Sequence, residues 1–249
     1  MSGGGATVDD VGYREIPPPR QLRGEIECAW TAGVAAGSPA ESVHVLPDGC
    51  MDLVWTGQEL LVAGPDTGPQ PARRQPGVLS AGLRFAPGRL PALLGIPAAE
   101  VRDQRVPLAD LQPALARRAL ARLEQGERPL PVLLGLTLAL PGDPAELAVR
   151  TVAAQLADGA SARATADRLG WTERSLHRRC LTAFGYGPAV LRRVLRFRRA
   201  ALLLYDGVPI AEAAAVAGYA DQPHLSREMR ALAGVAPSQI YGGQRSNGA

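Results

Sequence analysis

The stretch from Ala166 to Pro188 is repeated, with changes, from Ala214 to Pro237. The first copy reads ADRLGWTERSLHRRCLTAFGYGP and the second AAVAGYADQPHLSREMRALAGVAP. Each copy holds a run of small residues with helical spacing, a Gly followed by an aromatic residue, and a second helix closed by another Gly. Two short helices joined by a tight Gly-containing turn are the grammar of a helix-turn-helix. A tandem repeat of that unit commits the end of the chain to an all-α arrangement. It also suits a surface that reads two adjacent grooves of duplex DNA.

The charge follows the repeat. The whole chain carries a formal net charge of +3. Residues 1–144 hold 13 Arg against 16 Asp and Glu, a balance of −3, whereas residues 145–249 hold 14 Arg against 8, a balance of +6. A nucleic-acid-binding region needs such an excess, because phosphate contacts supply most of its sequence-independent affinity. All 27 basic residues are Arg. A GC-rich genome produces that bias by itself, so the distribution is informative and the abundance is not.

Hydrophobic residues make up 46% of the chain, enough for well-formed cores. The longest nearly apolar stretch, Leu130 to Leu140, falls short of the ~20 residues that span a bilayer, so no membrane span is expected. Met1 to Asp10 lacks the positive region and apolar core of a secretory signal and reads as a flexible tail. Cys28, Cys50 and Cys180 are too few and too scattered for a disulfide framework, which points to a reducing cytoplasm.

The first half reads as β and then α. Val43–Leu46, Asp52–Trp55, Leu60–Ala63 and Val78–Phe85 alternate or are β-branched, and Pro-Asp-Gly, Thr-Gly, Gly-Pro and Gln-Pro-Gly turns separate them. A meander or small barrel fits, with Pro65 to Pro76 as a loop. Leu90, Leu93 and Leu94 then take helical spacing, as do Leu115, Ala119 and Leu123 before Gly126. Leu130 to Leu140 forms a third apolar helix, interrupted at Gly135. Pro141-Gly142-Asp143-Pro144 is the best linker, dividing a domain over residues 11–140 from one over 145–242.

The second half reads as helices throughout. Glu146–Asp158 is one, Ser161 caps the next, and Ala189–Tyr205 carries an apolar stripe with Arg192, Arg196 and Arg199 along its other side. That last helix is a rod about 25 Å long at ~1.5 Å per residue, able to hold two recognition helices about one DNA turn apart. The units span about 161–185 and 209–234. In the first, Thr172 caps the second helix, Leu176 and Cys180 point inward, and Arg174, Ser175, His177, Arg178 and Arg179 point outward. In the second, Asp221 is the cap, Leu225 and Met229 are core, and Gln222, His224, Ser226 and Arg227 face outward. Arg suits a guanine edge or a phosphate, and Gln an adenine edge. Counting from Gly170 to Gly218 and from Gly185 to Gly234 shows the second copy longer by one residue, which falls at the start of its reading helix. Trp171 reads as turn packing and the Arg192/Arg196/Arg199 stripe as a solvated or phosphate-positioning face.

These residues resemble the AraC/XylS family of transcription regulators over about the last hundred positions. The resemblance rests on Ala166-x-x-Leu169-Gly170, Leu176-x-Arg178, Phe184-Gly185-x-Gly187-Pro188, Leu195-Arg196-Phe197-x-x-Ala200, Ile210-x-x-Ala213, Ala217-Gly218-Tyr219-x-Asp221, Leu225-x-Arg227 and Gly234-x-x-Pro237-Ser238. It implies two helix-turn-helix subdomains joined by a linker helix, with recognition helices in successive major grooves. Cys180 and Met229 stand where the family usually carries Phe, which implies softer core packing. His44 to Trp55, with Gly82-Leu-Arg84-Phe85-x-Pro87-Gly88, resembles the sensor-like domain of one subgroup and implies a small cupin-like β-domain followed by helices.

The expected fold is therefore α+β: an N-terminal barrel-like β-domain with helices, then an all-α double helix-turn-helix domain. The expected function is sequence-specific binding of double-stranded DNA to regulate transcription, with no enzymatic activity and no cofactor. A small-molecule effector is a candidate ligand of the first domain, at Trp30, Trp55, Arg84 or Phe85. RNA polymerase and a second copy of the chain are candidate partners. An Arg in an apolar strand needs a buried partner, either Asp52 or Glu15 or an anionic ligand. Cys28, His44, Cys50 and Asp52 are residue types that suit a metal, and a Cys28–Cys50 pair could be redox-active, but their spacing matches no tight motif and no metal is expected. Cys50 reads as a small hydrophobe after the Asp48-Gly49 turn. Two other readings stay open. One is a constitutive dimeric DNA binder without effector. The other is an alkyl-transfer repair enzyme fused to the same module, which Cys50 answers poorly because it lacks Pro, His and Arg neighbours.

Overall fold

Strand-forming sequence dominates the first 107 positions of the computed structural model, which describes residues 12–139 and 146–237. The readings of Met1 to Asp10 as a tail and of Pro141 to Pro144 as a linker lie outside the described residues. Eight strands form: β1 (Gly12–Ile16), β2 (Ile26–Gly33), β3 (Glu41–Val45), β4 (Met51–Trp55), β5 (Leu60–Ala63), β6 (Gln70–Arg74), β7 (Leu79–Phe85) and β8 (Arg105–Pro107). Six of them make one antiparallel sheet in the order β1-β2-β7-β4-β5-β8, and β3 pairs with β6 in a separate ribbon. The sheet is not closed, since β1 and β8 lie at its two ends.

One segment departs from the sequence reading. Gln70–Arg74 lies within the stretch expected to be a loop, yet it pairs in register with β3, Pro71 opposite His44. A two-stranded ribbon leaves one side of each strand unpaired, so a proline lacking its N–H is accommodated there.

Four helices cover one face of the sheet: α1 (Arg89–Leu94), α2 (Leu108–Leu111), α3 (Pro113–Glu124) and α4 (Pro129–Leu138). Leu53, Val62, Leu83 and Phe85 project from the strands into a core shared with Leu90, Leu108, Ala119 and Leu133. Gly135 does not interrupt α4. A Cβ at that position would lie 2.9 Å from Nη1 of Arg122, so the glycine admits a guanidinium beside the helix.

The second half folds as six helices: α5 (Glu146–Ala157), α6 (Ala162–Arg168), α7 (Glu173–Phe184), α8 (Pro188–Tyr205), α9 (Ile210–Val216) and α10 (Gln222–Ala233). Helix α8 serves two cores. Its first half contributes Leu191, Val194 and Leu195 to a cluster with α5, α6 and α7. Its second half contributes Phe197, Ala200 and Leu204 to a cluster with α9 and α10. At 18 residues and ~1.5 Å per residue it is about 27 Å long. The architecture is the expected one, a β-rich domain with helices followed by an all-α domain of two helical units.

The two halves pack directly on one another. The turn before β4 meets α8, where a Cβ on Gly49 would lie 3.1 Å from Cδ2 of Leu195. Arg102 Nη1 donates to the carbonyl of Gly185 at 3.1 Å, at the end of α7. A Cβ on Gly185 would come within 2.6 Å of Pro65, and the residue's φ of +80° already excludes most side chains.

Candidate nucleic-acid interface

Both recognition helices start on a side-chain cap. Thr172 Oγ1 accepts from the N–H of Ser175 at 3.1 Å, and Asp221 Oδ1 accepts from the N–H of His224 at 2.6 Å. Ser161 caps α6 in the same way through Ala164. Each such bond satisfies an amide that the helix itself cannot. Gly170 and Gly218 make the inter-helix turns at φ of +66° and +79°, and Gly185 and Gly234 close the helices in the left-handed region.

The two helices are equal in length, 12 residues each. The extra residue of the second copy therefore lies in the turn, between Gly218 and the cap Asp221, and not at the start of the reading helix as the residue count suggests. Matching cap to cap aligns Arg178 with Arg227, Leu176 with Leu225 and Cys180 with Met229. All four of those apolar side chains are buried, so the departures Cys180 and Met229 fill core positions.

The opposite faces are open. Arg174, His177 and Arg178 on α7, and Gln222 and Arg227 on α10, are exposed. Ser175 and Ser226 are half-buried. Among the described residues, Arg174, Arg178 and Arg227 have no ion-pair partner. The two histidines are not equivalent. One face of the His177 ring rests on Gly187, where a Cβ would come within 2.6 Å of Cε1. His224 is half-buried and meets the Tyr219 ring edge-on at 5.2 Å. Arg179 stacks on Trp171 at 4.4 Å, which makes that tryptophan part of the turn. Sequence reasoning did not single out Arg230, exposed one turn beyond Arg227. Nor did it find Arg193, whose Nε and Nη2 donate to Glu228 at 2.7 and 3.1 Å and fix α10 to the rod. Arg193 beside Glu228 holds that carboxyl below its ordinary value.

The four candidate effector residues of the β-domain do not share a pocket. Residues paired across an antiparallel sheet share a face, and successive residues alternate. Leu53, Trp55, Leu83 and Phe85 lie on the helix-covered side, where Phe85 is a core residue and Trp55 packs against the core. Trp30 and Arg84 occupy the other side, with Glu15 and Asp52 opposite them in register. Arg84 is 4% exposed. Its guanidinium lies 3.3 Å from Glu15, 3.1 Å from Asp48 and 3.5 Å from Asp52. The choice left open between Asp52 and Glu15 is thus answered by both, joined by Asp48, and the charge of Arg84 is met inside the protein. Trp30 donates from Nε1 to Asp52 at 3.1 Å and lies flat over Gly82. Burial lifts the Asp52 carboxyl to about 6, against the pull of Arg84.

A cavity of about 510 Å³ lies elsewhere, between α1, α5 and α7. Pro91, Ile96, Val149, Trp171, Arg178 and Phe184 are among its walls, so it joins the two domains. Cys28 and Cys50 are buried free thiols, raised in pKa first by that burial. Among the described residues, no group of three His, Cys, Asp or Glu side chains is placed to hold a metal ion. No helix there is long and apolar enough to cross a membrane.

Family models match parts of both halves of the chain. Residues 165–241 match the family model described as a helix-turn-helix domain, and residues 14–107 match one described as a domain of unknown function (DUF6597). The C-terminal region is a helix-turn-helix domain of the AraC type, the DNA-binding module of transcription regulators. A crystal structure of ToxT from Vibrio cholerae O395 is similar at a TM-score of 0.48 and 10% identity, covering 84% of this chain and 96% of that one. A structure of apo ToxT from V. cholerae strain SCE256 is similar at 0.45 and 11%, covering 92% and 95%. No curated protein sequence matches the chain.

Proposed function

We propose that the chain is a sequence-specific transcription regulator that lays α7 and α10 into successive major grooves of duplex DNA. One observation carries this reading. Arg178 and Arg227 occupy the same position of two equally long, capped helices mounted on one rod, and neither side chain has a hydrogen-bond or ion-pair partner among the described residues. In this reading Arg174, Arg178, Gln222 and Arg227 meet base edges or phosphates, and Ser175, His177, His224 and Ser226 flank them in the first turns. The DNA-binding domain covers residues 145–242, with units at about 161–185 and 209–234. Residues 11–140 form a regulatory domain.

The interdomain cavity supports an effector response better than the face around Arg84 does, because a ligand there would touch both domains. A constitutive dimeric DNA binder is the second reading, favoured by the internal neutralisation of Arg84. RNA polymerase and a second copy of the chain are partners that either reading admits.

The test is selection by the full chain from a random-sequence duplex library. The expected result is an enriched pair of half-sites spaced by one helical turn, about 10–10.5 base pairs. Absence of any enriched motif at low salt would sink the proposal.

A further inference from the structure

A cationic cleft separates the two helix-turn-helix units. One wall is α8, with Arg192, Arg196 and Arg199 at i, i+4 and i+7 on a single helix face. The second wall is the end of α5 through Asp158 and Gly159, and the third is the end of α9 through Gly218. Among the described residues, Asp158 forms no ion pair with any of the three. Arg196 stacks on the Tyr219 ring at 4.4 Å, and its Nε is buried without a hydrogen-bond partner.

Helix ends present carbonyls, and arginines beside them could serve only as caps. Here several of those carbonyls already accept backbone N–H groups. Leu156 and Gln155 accept from Gly159 and Ala160 at 3.1 and 2.9 Å, and Ala215 and Ala214 accept from Gly218 and Tyr219 at 3.1 and 2.9 Å. Among the described residues, the exposed Arg192 and Arg199 form no side-chain hydrogen bond or ion pair, so their donors remain for something outside the protein.

We infer that this cleft binds a backbone phosphate of the DNA strand that crosses between the two major grooves. The inference rests on the reading given under Proposed function and adds a contact between the recognition helices. Position selects the ligand. The α5 end runs directly into Ser161, the cap of the first unit, and Gly218 precedes Gln222 by four residues. A group held in the cleft is then within roughly 14 Å of the start of α10, at ~3.5 Å per residue. What passes between two helices seated in successive grooves is the sugar–phosphate backbone. A contact there fixes register and carries no base information.

The double variant R192Q/R199Q tests this. Both side chains are exposed, while Arg196 is left in place because it packs on Tyr219. Binding of the full-length protein is measured across salt concentrations, on the library-enriched duplex and on a duplex without the motif. The plot of log affinity against log salt should become shallower by about 1 on both, at ~0.9 for the phosphate no longer neutralised, with base preferences unchanged. Neutral methylphosphonate linkages between the half-sites should weaken the wild type and leave the double variant unaffected. A slope equal to the wild type's, or equal sensitivity of both proteins to the neutral linkages, would overturn the inference while leaving the DNA-binding reading intact. If the wild type enriches no motif, the DNA-binding reading fails and this inference falls with it.

Discussion

Arg198 on α8 reaches across the domain boundary to Glu27 on β2, donating from Nη2 at 2.9 Å. Its Nη1 lies 3.6 Å from the sulfur of Cys50. The linker helix is thereby tied to the sheet by a charge pair that is largely shielded on the Arg side and open on the Glu side. Arg198→Met should cost about 1–2 kcal/mol in chemical denaturation, between the values for exposed and buried pairs. A double-mutant cycle with Glu27→Gln should return a coupling of about 1 kcal/mol. Additive effects would show that the pair does not join the domains energetically.

The recognition helices depend on their caps. Thr172→Ala and Asp221→Ala should each lower stability by about 1 kcal/mol, because each leaves an amide of the first turn without its acceptor. Thermal unfolding monitored by circular dichroism checks this. Equal stability in both variants would mean that water replaces the caps without cost.

Gly82 lies under the indole of Trp30, where a Cβ would meet ring carbons at 2.3 and 2.4 Å. Gly82→Ala should therefore destabilise the protein by about 1–3 kcal/mol through overpacking. It should also move Trp30 away from Asp52. Tryptophan emission and denaturant midpoints report both effects, and a neutral substitution would show that the indole is free to shift.

Asp52 predicts a pH dependence. Burial raises its carboxyl from the ordinary 3.8 to about 6, with Arg84 opposing. The native state therefore binds the proton at a pH where the unfolded chain has released it. The contribution of this group to stability falls as pH rises from about 4 to about 6 and is level above that window. NMR titration of the carboxyl carbon should give a midpoint near 6. Asp52→Asn should make the stability slope across that window more positive, and an ordinary midpoint would refute the prediction.

The two reading helices should behave differently toward DNA. Arg178→Ala should weaken binding about fivefold or more, about 1–3 kcal/mol, and reduce the salt slope by about 1. Gln222→Ala should leave the slope unchanged and relax the preference at one base pair. Identical effects on slope and preference would leave the repeat as a feature of the fold alone.

The helical half was legible in the sequence because its signals are local. A cap, a turn glycine and a core residue every three or four positions lie within a few residues of each other, as at Thr172, Gly170 and Leu176. The strands β3, β4, β5 and β7 announced themselves by alternation. Strand β2 did not, since Ala29, Thr31, Ala32 and Gly33 are small or polar and acquire meaning only beside β1 and β7. β8 is three residues at a sheet edge. The Arg84 cage was half legible. Charge in an apolar strand demands a partner, but Asp48 reaches it from a turn, and no spacing rule announces that. The separation of Trp30 and Arg84 from Trp55 and Phe85 follows from strand alternation once the register is known. The interdomain contacts at Gly49, Gly185 and Arg102 join positions far apart in the chain, so no local pattern marks them.

Because α8 is a single unbroken helix built into both cores, it sets angular phase as well as distance. One residue added to it would advance the second unit by about 1.5 Å and turn it by roughly 100° relative to the first. In the proposed reading, that rotation would put α7 and α10 out of phase on the duplex. An insertion of four residues, close to one full turn, would bring the facing nearly back while moving the units about 6 Å apart. In the proposed reading, the length of this helix, counted modulo its own pitch, is thus as much a part of DNA recognition as any side chain on its surface.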